Sequence, residues 1–109
     1  MALNVEKIAL DMFNAAFPIL KKQAPTIKVF AQGEFHKIAR QLVTIEAEFV
    51  GGRVTKEQAS ILMEMQKSAS RSVLLTAKGL SLLVVEQAIN AALDVVRKAV
   101  NTAVGVKLL

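Results

Sequence analysis

The chain contains a single histidine, His36, and its nearest carboxylate in the sequence is Glu34, two residues earlier. A di-metal site in a helical bundle needs a glutamate and a histidine one turn apart, Glu-x-x-His, so that both aim at one point between the helices. A spacing of two sends the side chains to nearly opposite sides of a helix, and no second histidine exists to complete a set. No metal ligands are therefore assigned, and His36 reads as a partly exposed histidine near Lys37 and Arg40. Glu46 and Glu48 diverge for the same reason, which argues against an acid and base pair. Glu46 lies nearer the apolar stripe of its helix and is expected to pair with a basic residue on a neighbouring helix. Serines 60, 68, 70, 72 and 81 have no base beside them, and a hydroxyl nucleophile needs one. Cysteine is absent, so no thiolate site, disulfide or cysteine nucleophile can form in this chain. "AKGLS" and "VGGRV" lack the spacing of phosphate-binding glycine loops, and the second reads better as a helix cap. No catalytic residue and no cofactor is assigned. An enzyme remains the contrasting class, to be recognised by a polar pocket in which titratable groups such as Glu46, Glu86 or His36 converge.

The elements that would carry these residues are helical. Val5, Ile8, Ala9, Met12, Phe13, Ala16 and Phe17 recur at helical spacing, with Asn4 placed to cap the helix and Glu6 near its positive end. Pro18 is expected to kink or restart this helix, and Pro25 to close the segment. "TIKVFAQG" is divided between strand and helical spacing and is read as helix. From Glu34 the stripe Phe35, Ile38, Ala39, Leu42, Ile45 and Phe49 is unambiguous, and Gly51 and Gly52 favour a left-handed cap at its end. Thr55 and Gln58 form a capping box that starts the next helix near Lys56. Its apolar side is read as Ala59, Leu62, Met65, Ala69, Val73 and Ala77, and its charged side as Glu64, Lys67, Arg71 and Lys78.

Two readings stand beyond residue 78. In one the helix stops at Lys78 and Gly79, and Ser81 caps a new helix. In the other a single very long C-terminal helix runs from about Lys56 to Val104, about 70 Å. In either case Lys78, Glu86, Asp94 and Arg97 interrupt the apolar run too often for a transmembrane span, so protein is its expected solvent. Ala88, Ala92, Ala99 and Ala103, with Val84, Val95 and Val96, form a small-residue seam against another helix of the same chain or of a second subunit.

Hydrophobic residues make up 53% of a 109-residue chain, while a folded monomer of this mass exposes about 5,900 Å². Apolar residues should outnumber interior places, and an oligomer is the expected shelter. The net charge of +5 is a mild bias toward acidic partners. Lys67, Arg71 and Lys78 are candidate phosphate or anion contacts, extended by Arg53 or Lys56 if folding brings these close. Nucleic acid binding has no recognition module and no tryptophan or tyrosine to support it. "RKAVNTAVGVKLL" is either a peripheral membrane helix or a docked terminal one. "MALNVEK" has no basic n-region followed by an apolar h-region, which permits a cytoplasmic location. The expectation is one all-α domain over residues 1–109. It is a bundle of three or four main helices, self-associating, with a structural or interaction role and no enzymatic one.

Overall fold

The computed structural model describes residues 3–24, 26–78, 80–105 and 107–109, the side chains of residues 77 and 78 excepted. Four helices follow in order: α1 (Val5–Leu20), α2 (Lys28–Val50), α3 (Lys56–Lys78) and α4 (Leu82–Val104). Short connections make successive helices antiparallel neighbours, the up-and-down bundle of all-α domains. The bundle measures 41 × 22 × 18 Å, and no strand occurs among the described residues. α1 packs on α2 and α4, and α2 packs on α3; α3 meets α4 more sparsely.

Local chemistry accounts for most helix ends. The Asn4 side chain accepts from the Lys7 amide at 2.9 Å, satisfying a first-turn donor of α1. Pro18 does not end or restart α1: the helix continues through it to Leu20. One amide donor is lost near the end of the helix, and the complete burial of Leu20 beyond it offsets that loss. Pro25 lies outside the described residues. The undecided stretch is helical, since Lys28 to Gly33 form the first turns of α2.

At the end of α2 the left-handed residue is Gly52, with φ +77°, while Gly51 stays right-handed. The Gly52 amide donates to the Phe49 carbonyl at 3.0 Å and the Arg53 amide to the Glu48 carbonyl at 2.8 Å, the paired bonds of a Schellman motif. Where that motif often adds an apolar contact, Arg53 Nε here donates to Glu48 Oε2 at 2.7 Å. Two residues later the capping box forms in both directions: Thr55 N–H to Gln58 Oε1 at 2.8 Å, and Gln58 N–H to Thr55 Oγ1 at 3.1 Å.

The very long C-terminal helix does not form. α3 ends at Lys78 and α4 begins at Leu82, with the Ser81 hydroxyl accepting from the Val84 amide at 3.3 Å. Gly79 lies outside the described residues. Folding the chain back here lets α4 bury Val85, Ala88, Ile89, Ala92, Leu93, Val96 and Val100, which a continuous rod would leave uncovered. The core they join is built around Met12, Leu20, Phe35, Ile38, Leu42 and Ile45, all fully buried.

Candidate interaction interface

The candidate seam on α4 divides. Ala88, Ala92 and Val96 are buried inside the monomer, where small side chains allow close approach to α1, itself burying Ala16. Val84 and Ala103 are half-buried, while Ala99 and Val95 face solvent. Ala92→Leu is expected to overpack the α1–α4 contact and lower stability by about 1–3 kcal/mol. A urea unfolding curve superimposable on the wild type would show that the contact is loose.

α3 is turned differently from its sequence reading. Its buried residues are Ala59, Met63, Ser70 and Leu74; Met65 and Ala69, assigned to the core side, are exposed. Lys67 and Arg71, assigned to the solvent side, lie instead at the margin of the packed face. There the aliphatic stems are covered and the charged heads find carboxylates. Lys67 Nζ is 3.2 Å from Glu64, and Arg71 donates to Glu86 of α4. Gln66 donates to the buried Ser70 hydroxyl at 3.1 Å, so the polar group on the inner face is partnered. Two of the three candidate anion contacts are thus engaged within the chain, and the Lys78 side chain lies outside the described residues. Arg53 is held by Glu48 at the start of the α2–α3 turn, and Lys56 stands about 16 Å along α3 from Lys67.

This rotation leaves an outward arc of α3 without a charged residue. Ile61 and Met65 are 59% and 63% exposed; the exposed Ala69 continues the arc with Ser68, Ser72 and Thr76, and the half-buried Leu62 and Val73 form its edge, Leu62 packing partly against the core. Leu62, Met65, Ala69, Ser72 and Thr76 alternate spacings of three and four, the seam spacing of paired helices. Of the apolar side read from the sequence, the structure buries Ala59, packs Leu62 partly against the core and half-buries Val73, but turns Met65 and Ala69 out to solvent; the Ala77 side chain lies outside the described residues.

The titratable candidates stay apart. His36 Nε2 lies 3.2 Å from Glu6 of α1, and Arg40 is 3.3 Å from His36 Nδ1. His36 and Glu6 border an open groove between α1 and α2 that Leu10, Phe13 and Gln32 also line, and its lining includes no hydroxyl or thiol for the imidazole to activate. Glu34 is buried and pairs with Lys37 at 3.1 Å. Glu46 is buried but makes no ion pair among the described residues, so the partner expected on a neighbouring helix is not found there. Glu86 is taken by Arg71. Among the described residues no three histidine or carboxylate side chains gather in a way that could hold a metal ion.

The C-terminal segment docks. α4 ends at Gly105 with φ +86°, and the Leu108 and Leu109 amides both donate to Asn101 Oδ1 at 2.9 Å. Val100 and Val104 are buried, so the apolar face proposed for lipid is already covered by protein. No helix among the described residues is long and apolar enough to cross a membrane.

Sequence reasoning missed a second surface. Val29, Phe30, Leu82 and Leu83, in the first turns of α2 and α4, are all exposed, as are Lys21, Lys22 and Lys28. The available signal was a gap in the acids: no carboxylate lies between Asp11 and Glu34 or between Glu64 and Glu86. No family model matches the chain, and no curated protein or solved structure matches it.

Proposed function

We propose that this protein is a non-enzymatic, self-associating helical bundle whose α3 outer face meets the same face of a second copy. The observation that carries this reading is the uncharged outward arc of α3, with Ile61 and Met65 largely exposed beside small residues that permit close helix approach. Charge favours an antiparallel, two-fold arrangement. Glu57 and Glu64 border the arc toward its start and Arg71 toward its end. A two-fold axis between residues 67 and 68 would bring Glu64 of each copy near Arg71 of the other, in addition to the pairs that these already make with Lys67 and Glu86 in their own chain, and would set Leu62 opposite Val73. Residues 58–76 span about 28 Å, and a single helix about 10 Å wide offers roughly 300 Å² of footprint. That is well below the roughly 800 Å² per partner of a standard stable interface, so association should be weak and reversible.

Sedimentation equilibrium over a range of concentrations tests this. The wild type should show a reversible monomer–dimer equilibrium. Ile61→Glu and Met65→Glu should be monomeric with unchanged circular dichroism, and Val95→Glu, on the exposed edge of α4, should still dimerise. A wild type that is monomeric at every concentration overturns self-association. Dimers broken by Val95→Glu but not by Met65→Glu would move the interface to α4.

A further inference from the structure

The end of the bundle formed by the α1–α2 turn and the start of α4 is a second surface, independent of the α3 face. The Ser81 amide donates to Gln23 Oε1 at 3.0 Å, which fixes the two connections at one end of the molecule. The bundle is only 22 × 18 Å across, so the side chains around that end fall within one small area. Val29 is 77% exposed and Leu83 67%, and Phe30 and Leu82 are about half exposed. Since side chains on a helix lean toward its N-terminus, first-turn residues of α2 and α4 project toward the open end rather than back along the bundle.

Charge follows the same division. The two acid-free stretches hold Lys21, Lys22, Lys28, Lys67, Arg71 and Lys78, whereas the other eight basic residues are interspersed with all nine acidic ones. Lys67 and Arg71 are answered by Glu64 and Glu86 at the stretch boundaries. Lys21, Lys22 and Lys28 are exposed and make no ion pair among the described residues. α2 and α4 begin at this end while α1 and α3 finish there, so the helix macrodipoles offset one another and the positive field comes from the lysines. Exposed aliphatic and aromatic side chains ringed by unpaired lysines are what an anionic lipid surface selects: the apolar groups enter the headgroup boundary while the lysines meet lipid phosphates and carboxylates. A nucleic acid would use the lysines but give Val29, Leu82 and Leu83 nothing to bury against.

We infer that this end of the bundle docks on an anionic membrane surface, with Val29, Phe30, Leu82 and Leu83 inserted and Lys21, Lys22 and Lys28 holding the headgroups. The bundle then stands end-on, and the α3 face remains free at its side for a second copy in the plane of the membrane.

The chain lacks tryptophan, so Phe30→Trp supplies a single reporter in the full-length protein. Mixed phosphatidylcholine and phosphatidylserine vesicles should shift its emission to the blue, and pure phosphatidylcholine vesicles should not. Val50→Trp, at the opposite end, should stay silent. In co-sedimentation with the mixed vesicles, replacing Lys21, Lys22 and Lys28 together with glutamine should weaken binding at least tenfold, as should Leu83→Ser with Val29→Ser; Lys56→Gln should not. Wild-type binding should fall as salt rises, a readout that needs no variant. Absent binding, equal binding to neutral vesicles, or a blue shift from Val50→Trp instead of Phe30→Trp overturns the proposal. So does salt-dependent oligonucleotide binding that needs the lysines but survives Leu83→Ser, which would reassign the patch to nucleic acid.

Discussion

Phe35→Ala is expected to lower the free energy of unfolding by about 3–5 kcal/mol, the range for removing a buried aromatic ring from a packed core. Phe35 is the largest of the described side chains with no solvent exposure, and it sits early in the interior stripe of α2 between Ala31 and Ile38, both also fully buried. The lost transfer energy and the residual cavity add, because α1 and α3 on either side of α2 cannot both collapse into the gap. A chain of this length has a total stability of roughly 5–15 kcal/mol, so the variant should retain only part of its folded population margin. Urea unfolding followed by circular dichroism reads the loss directly. Val29→Ala is the matched control on the same helix: with its side chain mostly in water, it should stay within about 0.5 kcal/mol of the wild type. Equal midpoints for the two variants would mean that α2 faces the bundle with a different side.

Those two positions show how far periodicity reaches. The stripe from Phe35 to Phe49 was legible because its apolar residues have only one face to share, and the opposite face carries Lys37, Arg40 and Thr44. Helix starts were legible at Asn4, Thr55 and Ser81 because each is a side chain that satisfies an orphan amide within its own first turn. α3 misled because it has two arcs without charge, one large and flexible in side chain (Ile61, Leu62, Met65), the other built from Ala59, Met63, Ser70 and Leu74. Hydropathy favours the first. Packing chose the second, since Ala59 and Ser70 let the helix approach closely while Arg71 reaches Glu86 across the interface. The Arg71–Glu86 pair joins positions on separate helices, so no local spacing announces it. Of the kink or restart expected at Pro18, the restart does not occur: a breaker within a turn of a helix end costs too little to override the burial of Leu20. The basic, apolar end of the bundle is assembled from three separate segments, and only the missing carboxylates mark it in the linear chain.

Leu74→Ala should reveal a consequence of that unusual α3 packing. Among the described residues Leu74 is one of three apolar side chains that α3 buries, with Ala59 and Met63, and it is the only one in the second half of the helix. Removing it should cost about 2–5 kcal/mol. Because among the described residues, besides the Arg71–Glu86 pair, the second half of α3 otherwise sets only the buried Ser70 and the partly buried Val73 and Leu75 against the bundle, part of that loss should appear as local opening before the whole bundle unfolds. Native-state hydrogen exchange separates the two: amides from Ser70 to Thr76 should exchange through a lower-energy opening than those of α1 and α2, and Leu74→Ala should lower that opening further while α1 and α2 keep their protection. If α3 exchanged only with global unfolding, the helix would be as firmly held as its neighbours and the argument from its sparse interior would fail. The same measurement bears on self-association. A second copy docked on Met65 and Ala69 binds only chains whose α3 is formed, so protection of α3 should rise with protein concentration in the wild type by mass action. In Met65→Glu it should not change with concentration. A concentration-dependent rise in the wild type, absent in Met65→Glu, would mean that α3 recovers between copies part of the burial it gives up within the monomer.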